Sequence, residues 1–193
     1  GEDFRFGYKR AGDVQFLKDH ASEFGYVVDD LQKVCAGGRE ISSTYIRDYI
    51  VGGELETAKN LLGRPFSVSG VVVHGLNNGH ALGTPTVNLT PAEDKILPPD
   101  GVYISLLRVQ GEDAFYPAVT NIGCNPTVTD FGSRVIETHI LDYSGDLYGR
   151  YIEVDLYKRI RGEKKFNGID ELRDQILLDM EKAKEYISRE ELV

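Results

Sequence analysis

The stretch from residue 66 to residue 88 constrains the fold of this chain more than any other. Phe66-Ser-Val-Ser-Gly-Val-Val-Val-His74 is rich in β-branched residues and predicts a strand. Gly75, Gly79 and Gly83 follow at four-residue spacing, which disfavours any regular element and lets the backbone come close to a ligand. Bare N–H groups in such a concave turn suit phosphate oxygens. Pro85-Thr-Val-Asn88 comes directly after. In an extended segment Thr86 and Asn88, two apart, present their oxygens to one side. Two neutral oxygen ligands beside a phosphate cradle suit a Mg²⁺ that bridges nucleotide phosphates, since the ion keeps waters and takes few protein ligands. Taken alone, the same residues also describe a glycine-rich hairpin loop with Thr and Asn as turn formers. The stretch is neither a Walker loop, for no Gly-Lys-Ser/Thr follows, nor a dinucleotide fingerprint, for no helix opens after it.

Around this stretch the second part of the chain reads as mostly β. Candidate strands cover 101–109, 114–122, 134–141 and 151–160, with a short one near 86–89. Turns such as Gln110-Gly-Glu-Asp113 and Tyr143-Ser-Gly-Asp146 separate them, a spacing that suggests an antiparallel barrel. A last helix is expected over 168–187. Its apolar positions Ile169, Leu172, Ile176, Met180, Ala183 and Ile187 form one stripe for packing over the barrel and closing its open side. In 134–141, Ile136, Thr138 and Ile140 face one way and Glu137, His139 and Leu141 the other, and the pattern does not decide which side is the core.

The first part of the chain reads as α/β. Val14, Leu17, Ala21 and Phe24 recur at helical spacing after Asp13, a suitable N-cap. Residues 26–34 read as a strand, Gly37-Gly38 as a turn. Two short helices, 44–51 and 54–62, end at Gly52-Gly53 and Gly63. Ser42-Ser43 fits the N-cap of the first of these.

With 31 acidic against 22 basic residues the net charge is −9, which argues against a nucleic-acid or anionic-membrane surface. An ATP site on such a chain has to rely on Mg²⁺ and local backbone dipoles. Cys35 and Cys124 stand in no metal-ligand spacing and read as reduced thiols of a cytoplasmic protein. No apolar run is long enough to span a bilayer.

Gly75, Gly79, Gly83 and Pro85-Thr-Val-Asn88 resemble the signature of the riboflavin kinase family, in which the last four residues read Pro-Thr-Ala-Asn. Further marks of the family follow in order: Leu97-Pro-Pro-Asp-Gly-Val-Tyr103, Asn121-Ile-Gly123 with Pro126-Thr127, Glu137-Thr-His139, Leu147-Tyr-Gly149, and Arg161 with Lys165-Phe166. The likeness covers about residues 60–188. Val87 departs from the usual Ala, His80 from a common Arg, and Thr84 from a larger apolar residue. The resemblance implies a six-stranded Greek-key barrel with a C-terminal helix. It also implies transfer of the ATP γ-phosphate to the riboflavin 5′-hydroxyl, giving FMN and ADP. Glu137 would be the general base and Thr86 and Asn88 the Mg²⁺ ligands. Gly75, Gly79 and Gly83 would lie against the nucleotide phosphates, and Arg161 would be the flavin contact in a covering loop. His139, which points the same way as Glu137 and is within reach of it, reads as structural.

Ile41-Ser-Ser-Thr-Tyr-Ile-Arg47, with 1–7 and 10–13, resembles the adenylyltransferase half of bacterial bifunctional FAD synthetases. There the helix start and the Arg are implied to hold ATP phosphates, a use that suits a helix N-terminus. The His-x-Gly-His type motif of that half does not occur here. The expected organisation is therefore 1–60 from the end of an FMN adenylyltransferase domain and 61–193 a riboflavin kinase domain. The parent protein, with the rest of its first domain, would also convert FMN to FAD. A flavin- or nucleotide-holding barrel without catalysis is the second reading. Thr86, Asn88 and Glu137 together favour the enzyme, since a holding module needs no base.

Overall fold

A computed structural model describes residues 3–73, 86–124 and 134–193. The chain divides into two compact units, Gly1–Ser43 and Thr44–Val193. In the first, β1 (Arg5–Phe6) pairs with β2 (Gly12–Asp13), and α1 (Val14–Phe24) follows. Asp13 caps α1 as its position suggests, accepting a hydrogen bond from the Phe16 amide at 2.9 Å, and Gly25 ends the helix at φ +67°. Β-Branched and apolar content suggested a strand over 26–34, but none forms. Val27 is 93% exposed, and the chain here finds neither a face to bury nor a ladder partner among the described residues. Strand preference expresses side-chain packing more than backbone bias, so it lapses where nothing covers the side chains. The pairing falls instead to β3 (Cys35–Ala36) and β4 (Arg39–Glu40), joined by Gly37-Gly38 at positive φ.

The second unit opens within the first turn of α2 (Ser43–Gly52), and α3 (Leu55–Leu62) follows after Gly53 at φ +81°. Six strands follow: β5 (Phe66–Val71), β6 (Thr86–Leu89), β7 (Gly101–Val109), β8 (Phe115–Cys124), β9 (Arg134–Ile140) and β10 (Tyr151–Arg161). They form one antiparallel sheet in the order β5-β10-β7-β8-β9-β6. Strands β7, β8 and β9 make a meander, and β10 returns to lie beside β7, which is the Greek-key arrangement the sequence implied. The sheet curls until its edges meet at a bridge, Val73 with Asn88, where the Val73 amide donates to the Asn88 carbonyl at 3.0 Å.

The concave side is filled by alternate residues of every strand. Val68, Leu107, Ile122, Ile136, Ile140, Ile152 and Val154 are fully buried there, together with Ile50, Leu55 and Ala58 of α2 and α3. A buried hydroxyl chain crosses three strands. Ser105 Oγ meets Thr120 Oγ1 at 2.8 Å, and Thr120 Oγ1 meets Thr138 Oγ1 at 2.9 Å. Each polar group therefore keeps a partner in the core, as buried hydroxyls require. The convex side of β7 and β8 is covered by α4 (Ile169–Arg189). Ala183, Tyr186 and Ile187 are buried with Val102, Ile104, Leu106 and Val119. The helix thus covers the outer face of the sheet, while α2 and α3 supply the cover to the inner core. Its stripe also divides: the C-terminal part is core, whereas Leu172 and Ile176 line a cavity and Ile169 is exposed. Among the described residues no helix is long and apolar enough to cross a membrane.

Asp155, on the outer face of β10 between its ladder partners Ser67 and Leu106, carries a burial cost that its neighbours do not offset. Burial first, and then the Glu153 charge, push its carboxyl from 3.8 up to about 6, against weaker pulls from Arg108 and Arg64. A folded-state value above the unfolded one means that its contribution to stability is complete below 3.8 and is lost as pH rises through about 6. Asp155→Asn is therefore expected to raise the melting temperature at pH 7.5 and to leave it nearly unchanged near pH 3.5. Thermal melts at the two pH values check this.

Candidate active site

Side chains of register partners in an antiparallel ladder share a face. Asn88 of β6 pairs with Glu137 of β9, Glu137 with Asn121 of β8, Asn121 with Val102 of β7, and Val102 with Arg161 of β10. One row on the convex face thus joins the expected ion ligand, the expected base and Arg161, which ends strand β10 rather than lying in a loop. At a strand spacing of about 4.8 Å it runs roughly 19 Å along the sheet. A second row beside it reads Thr86, His139, Val119 and Ile104. The question left open by the alternation of β9 is answered: Ile136, Thr138 and Ile140 point inward, and Glu137 and His139 outward.

These rows form the floor of a cavity of about 590 Å³, roofed by the segment after β10 and the first turns of α4. Its two ends differ. Thr86, Glu137, His139 and Asn121 make a polar end, and Val102, Val119, Phe166, Leu172 and Ile176 an apolar one. Gly123, next on the outer face of β8, matters because a Cβ there would collide with the Glu163 carboxylate that rests on it. The glycine of Asn121-Ile-Gly123 therefore lets the roof come down.

Glu137 is half-buried, and burial holds its carboxyl above the usual range, with no cation or hydrogen-bond donor offsetting it among the described residues. A carboxylate left without a partner in a cavity is poised to take a proton from a ligand. His139 is 7% exposed, burial pulls its imidazole below the usual value, and its Nδ1 has no hydrogen-bond partner.

Arg161 is held from two sides. Its Nε donates to Asp179 Oδ2 at 2.8 Å, and its guanidinium lies over the Phe166 ring, 5.7 Å from the centroid. Asp179 is 1% exposed and also accepts from Gln175 Nε2 at 3.0 Å. The roof segment is tied down again where Glu171 accepts from the backbone and side chain of Asn167 and pairs with Lys164 at 3.0 Å.

Of the expected site residues, Thr86, Glu137 and Arg161 line the cavity, and Asn88 lies in register on the same face. Gly75, Gly79 and Gly83 lie outside the described residues, as do His80, Thr84, Pro85, Pro126 and Thr127. Asn121 and Asp179 were not expected as site residues. Asp179 had a readable signal, an acid seven residues after Leu172 on an otherwise apolar stripe. Asn121 stood in the Asn121-Ile-Gly123 motif, but only strand register brings it beside Glu137. Other motifs build the frame. Arg134 binds the Pro98 carbonyl and the Asp100 carboxylate, Tyr103 Oη donates to the Pro99 carbonyl, and Arg159 donates to the Asp100 carbonyl. Gly101, at φ +153°, has no room for a Cβ against the Arg161 carbonyl.

Thr86 and Asn88 also fit the hard cation the sequence suggested. Val87 and Leu89 between and after them are buried inward, which turns both neutral oxygens outward beside Glu137. Among the described residues no cluster of three His, Cys, Asp or Glu could hold a metal by itself. A cation at this place would therefore take most of its ligands from water and phosphate, as Mg²⁺ does.

Removing one partner of a buried ion pair leaves an uncompensated charge. Asp179→Ala should cost about 3 kcal/mol of stability, the low end for such a change, because Arg161 keeps 21% of its side chain exposed. Urea unfolding of the variant against the parent checks the value.

Comparison with known proteins agrees with this geometry. The family model described as riboflavin kinase matches residues 62–187, and that described as FAD synthetase matches residues 1–45. The bifunctional riboflavin kinase/FMN adenylyltransferase of Escherichia coli K12 is 42% identical over 186 residues, which is 96% of this chain and 58% of that protein. Its namesake in Bacillus subtilis is 37% identical over 191 residues, 97% of this chain and 59% of its own length. The chain thus spans about three-fifths of the relatives it matches. A Streptococcus pneumoniae structure described as a macrolide-efflux protein superposes with a TM-score of 0.80 at 34% identity, over 95% of this chain and 58% of that one. With the kinase model matching well over half of its length, this chain belongs to the riboflavin kinase family.

Proposed function

We propose that residues 61–193 form a riboflavin kinase domain that transfers the γ-phosphoryl group of ATP to the 5′-hydroxyl of riboflavin, with FMN and ADP as products. The observation that carries this reading is the row Asn88–Glu137–Asn121–Val102–Arg161, polar at the β6 edge, apolar at Val102 and closed at β10 by the Arg161–Asp179 pair. Riboflavin has the matching form: a flat apolar ring system with a polar chain that ends in the reacting hydroxyl. Val102 and Val119 supply an apolar bed for the ring, Leu172 and Ile176 of α4 cover it, and Arg161 at the end of β10, steadied by Asp179, flanks it.

Glu137 takes the proton of the 5′-hydroxyl as the O5′–P bond forms and the bond between the γ-phosphorus and the ADP oxygen breaks. Its burial, with no counter-ion among the described residues, gives it the basicity for that role. Thr86 and Asn88 would hold Mg²⁺, which supplies charge neutralisation to the phosphates when bound. Gly75, Gly79 and Gly83, directly before Thr86 in sequence, are assigned to the nucleotide phosphates on the resemblance alone. Residues 1–60 are assigned to the end of an FMN adenylyltransferase domain, supported by the FAD synthetase match to residues 1–45. The assay that tests the main reading is FMN formation from riboflavin, ATP and Mg²⁺ by this chain, resolved by chromatography. No FMN under any ratio of the three would overturn it.

Glu137→Gln keeps shape and hydrogen bonding but not basicity, so kcat should fall by about 10²-fold or more with riboflavin affinity nearly unchanged. Because burial raises the carboxyl, the acid limb of the parent's kcat/KM profile should lie above the ordinary carboxylate range. Activity is lost as pH falls through it, and the Gln variant should lack that limb. Thr86→Val and Asn88→Leu each delete an oxygen at similar size. Each should weaken Mg²⁺-ADP binding by about tenfold or more, since even outer partners of a metal carry about that much. Calorimetric titration measures it, and unchanged affinity in both variants would return this strand to a purely structural role.

A further inference from the structure

Among the described residues, His139 is the one buried polar side chain of the cavity for which the mechanism above has no use. It stands opposite Thr86 in the β6–β9 ladder and one step along β9 from Glu137, on the same face. It is therefore at the polar end of the cavity, beside Glu137, with Val119 of the apolar bed opposite it in the β8–β9 ladder. Its Nδ1 is sealed in the protein without a partner. The side chain is otherwise 93% buried, the remaining 7% facing the cavity. A proton on Nδ1 would bury an unpaired N–H, which is costly, so the ring carries its proton on Nε2. The imidazolium also carries one there. In either state the atom offered to a ligand is an N–H donor, and no protein acceptor engages it among the described residues.

We propose that His139 is a phosphate-recognition residue whose Nε2–H donates to an oxygen of the phosphoryl group at the end of the flavin chain. The inference rests on the kinase reading above, in which that group arrives between Thr86 and Glu137. A neutral donor suits the place. A lysine or arginine there would pair with Glu137 and lower its basicity, whereas an imidazole without its own carboxylate partner leaves Glu137 free. The residue thus helps the chain tell a phosphorylated flavin from an unphosphorylated one, and holds the transferred group as it forms.

The consequence is a difference between two ligands that a packing role would not produce. Flavin fluorescence titrations of the chain compare riboflavin with FMN. His139→Gln, whose amide reaches the Nε2 position, should keep FMN affinity within about threefold. His139→Phe keeps the flat ring without the donor and should lose about tenfold or more for FMN, the usual worth of a hydrogen bond to a charged group. Riboflavin affinity should stay within about twofold in both. If the Phe variant does not fold, His139→Asn takes its place with the same expectation, since its amide mimics Nδ1 and falls short of the ligand. Equal losses for the two flavins, or no loss for FMN, would overturn the assignment of His139 and leave the kinase reading standing. Failure of the unsubstituted chain to bind either flavin would overturn both.

Discussion

The register of the antiparallel ladders is the constraint on which the rest depends. Both faces of β7 to β10 are in use, the inner one for the core and the outer one for α4 and the cavity. Side chains alternate with a period of two, so a slip of one residue in β9 would turn Glu137 and His139 into an apolar interior and Ile136, Thr138 and Ile140 outward. The Ser105–Thr120–Thr138 hydroxyl chain guards against that slip, because its partners meet only in the observed register. Leaving any of the three buried hydroxyls unpaired is costly. The same polar thread that sets the inner face therefore aligns the row of functional groups on the outer face.

The roof is held by a different kind of force. Where β10 ends, an irregularity between Arg159 and Arg161 and the absence of a side chain at Gly101 let the Arg161 backbone lie close against β7. Asp179 then catches Arg161, and Glu171 catches Lys164 and Asn167, so that the start of α4 is tied both to β10 and to the segment before it. The apolar residues Leu172 and Ile176 are kept out of the core by this arrangement. Their hydrophobic surface is left for a ligand to cover, which is a usable driving force for binding a flat apolar ring.

Motif residues divide between chemistry and framework, and only contacts tell them apart. Pro98, Pro99, Asp100, Gly101 and Arg134 share a corner in which carbonyls and a carboxylate are matched to guanidinium and phenol donors. Leu147 and Gly149 serve the entry to β10: Leu147 is buried, and the Gly149 amide donates to the Val72 carbonyl at 3.1 Å. Neither set reaches the cavity. Asn121 and Gly123 do, one by its side chain and the other by having none.

The sequence by itself determined the strands from Phe66 onward, the capped helix after Asp13, the C-terminal helix and the family signature, because each is written in local periodicity, capping or motif. It failed at 26–34, where apolar content without a partner strand makes no ladder. It also left undecided which face of β9 is the core, since alternation specifies two faces and not which one is covered. Tertiary structure alone decided that Asn121, which lies outside the short-range pattern, stands beside Glu137, and that Asp179 reaches Arg161. Both relations join residues through hydrogen-bond register or helix docking across the fold, and neither leaves a period in the chain to be read. The same holds for the division of the α4 stripe into core and cavity lining. Its periodicity is continuous, and what faces each part depends on where the sheet beneath it ends.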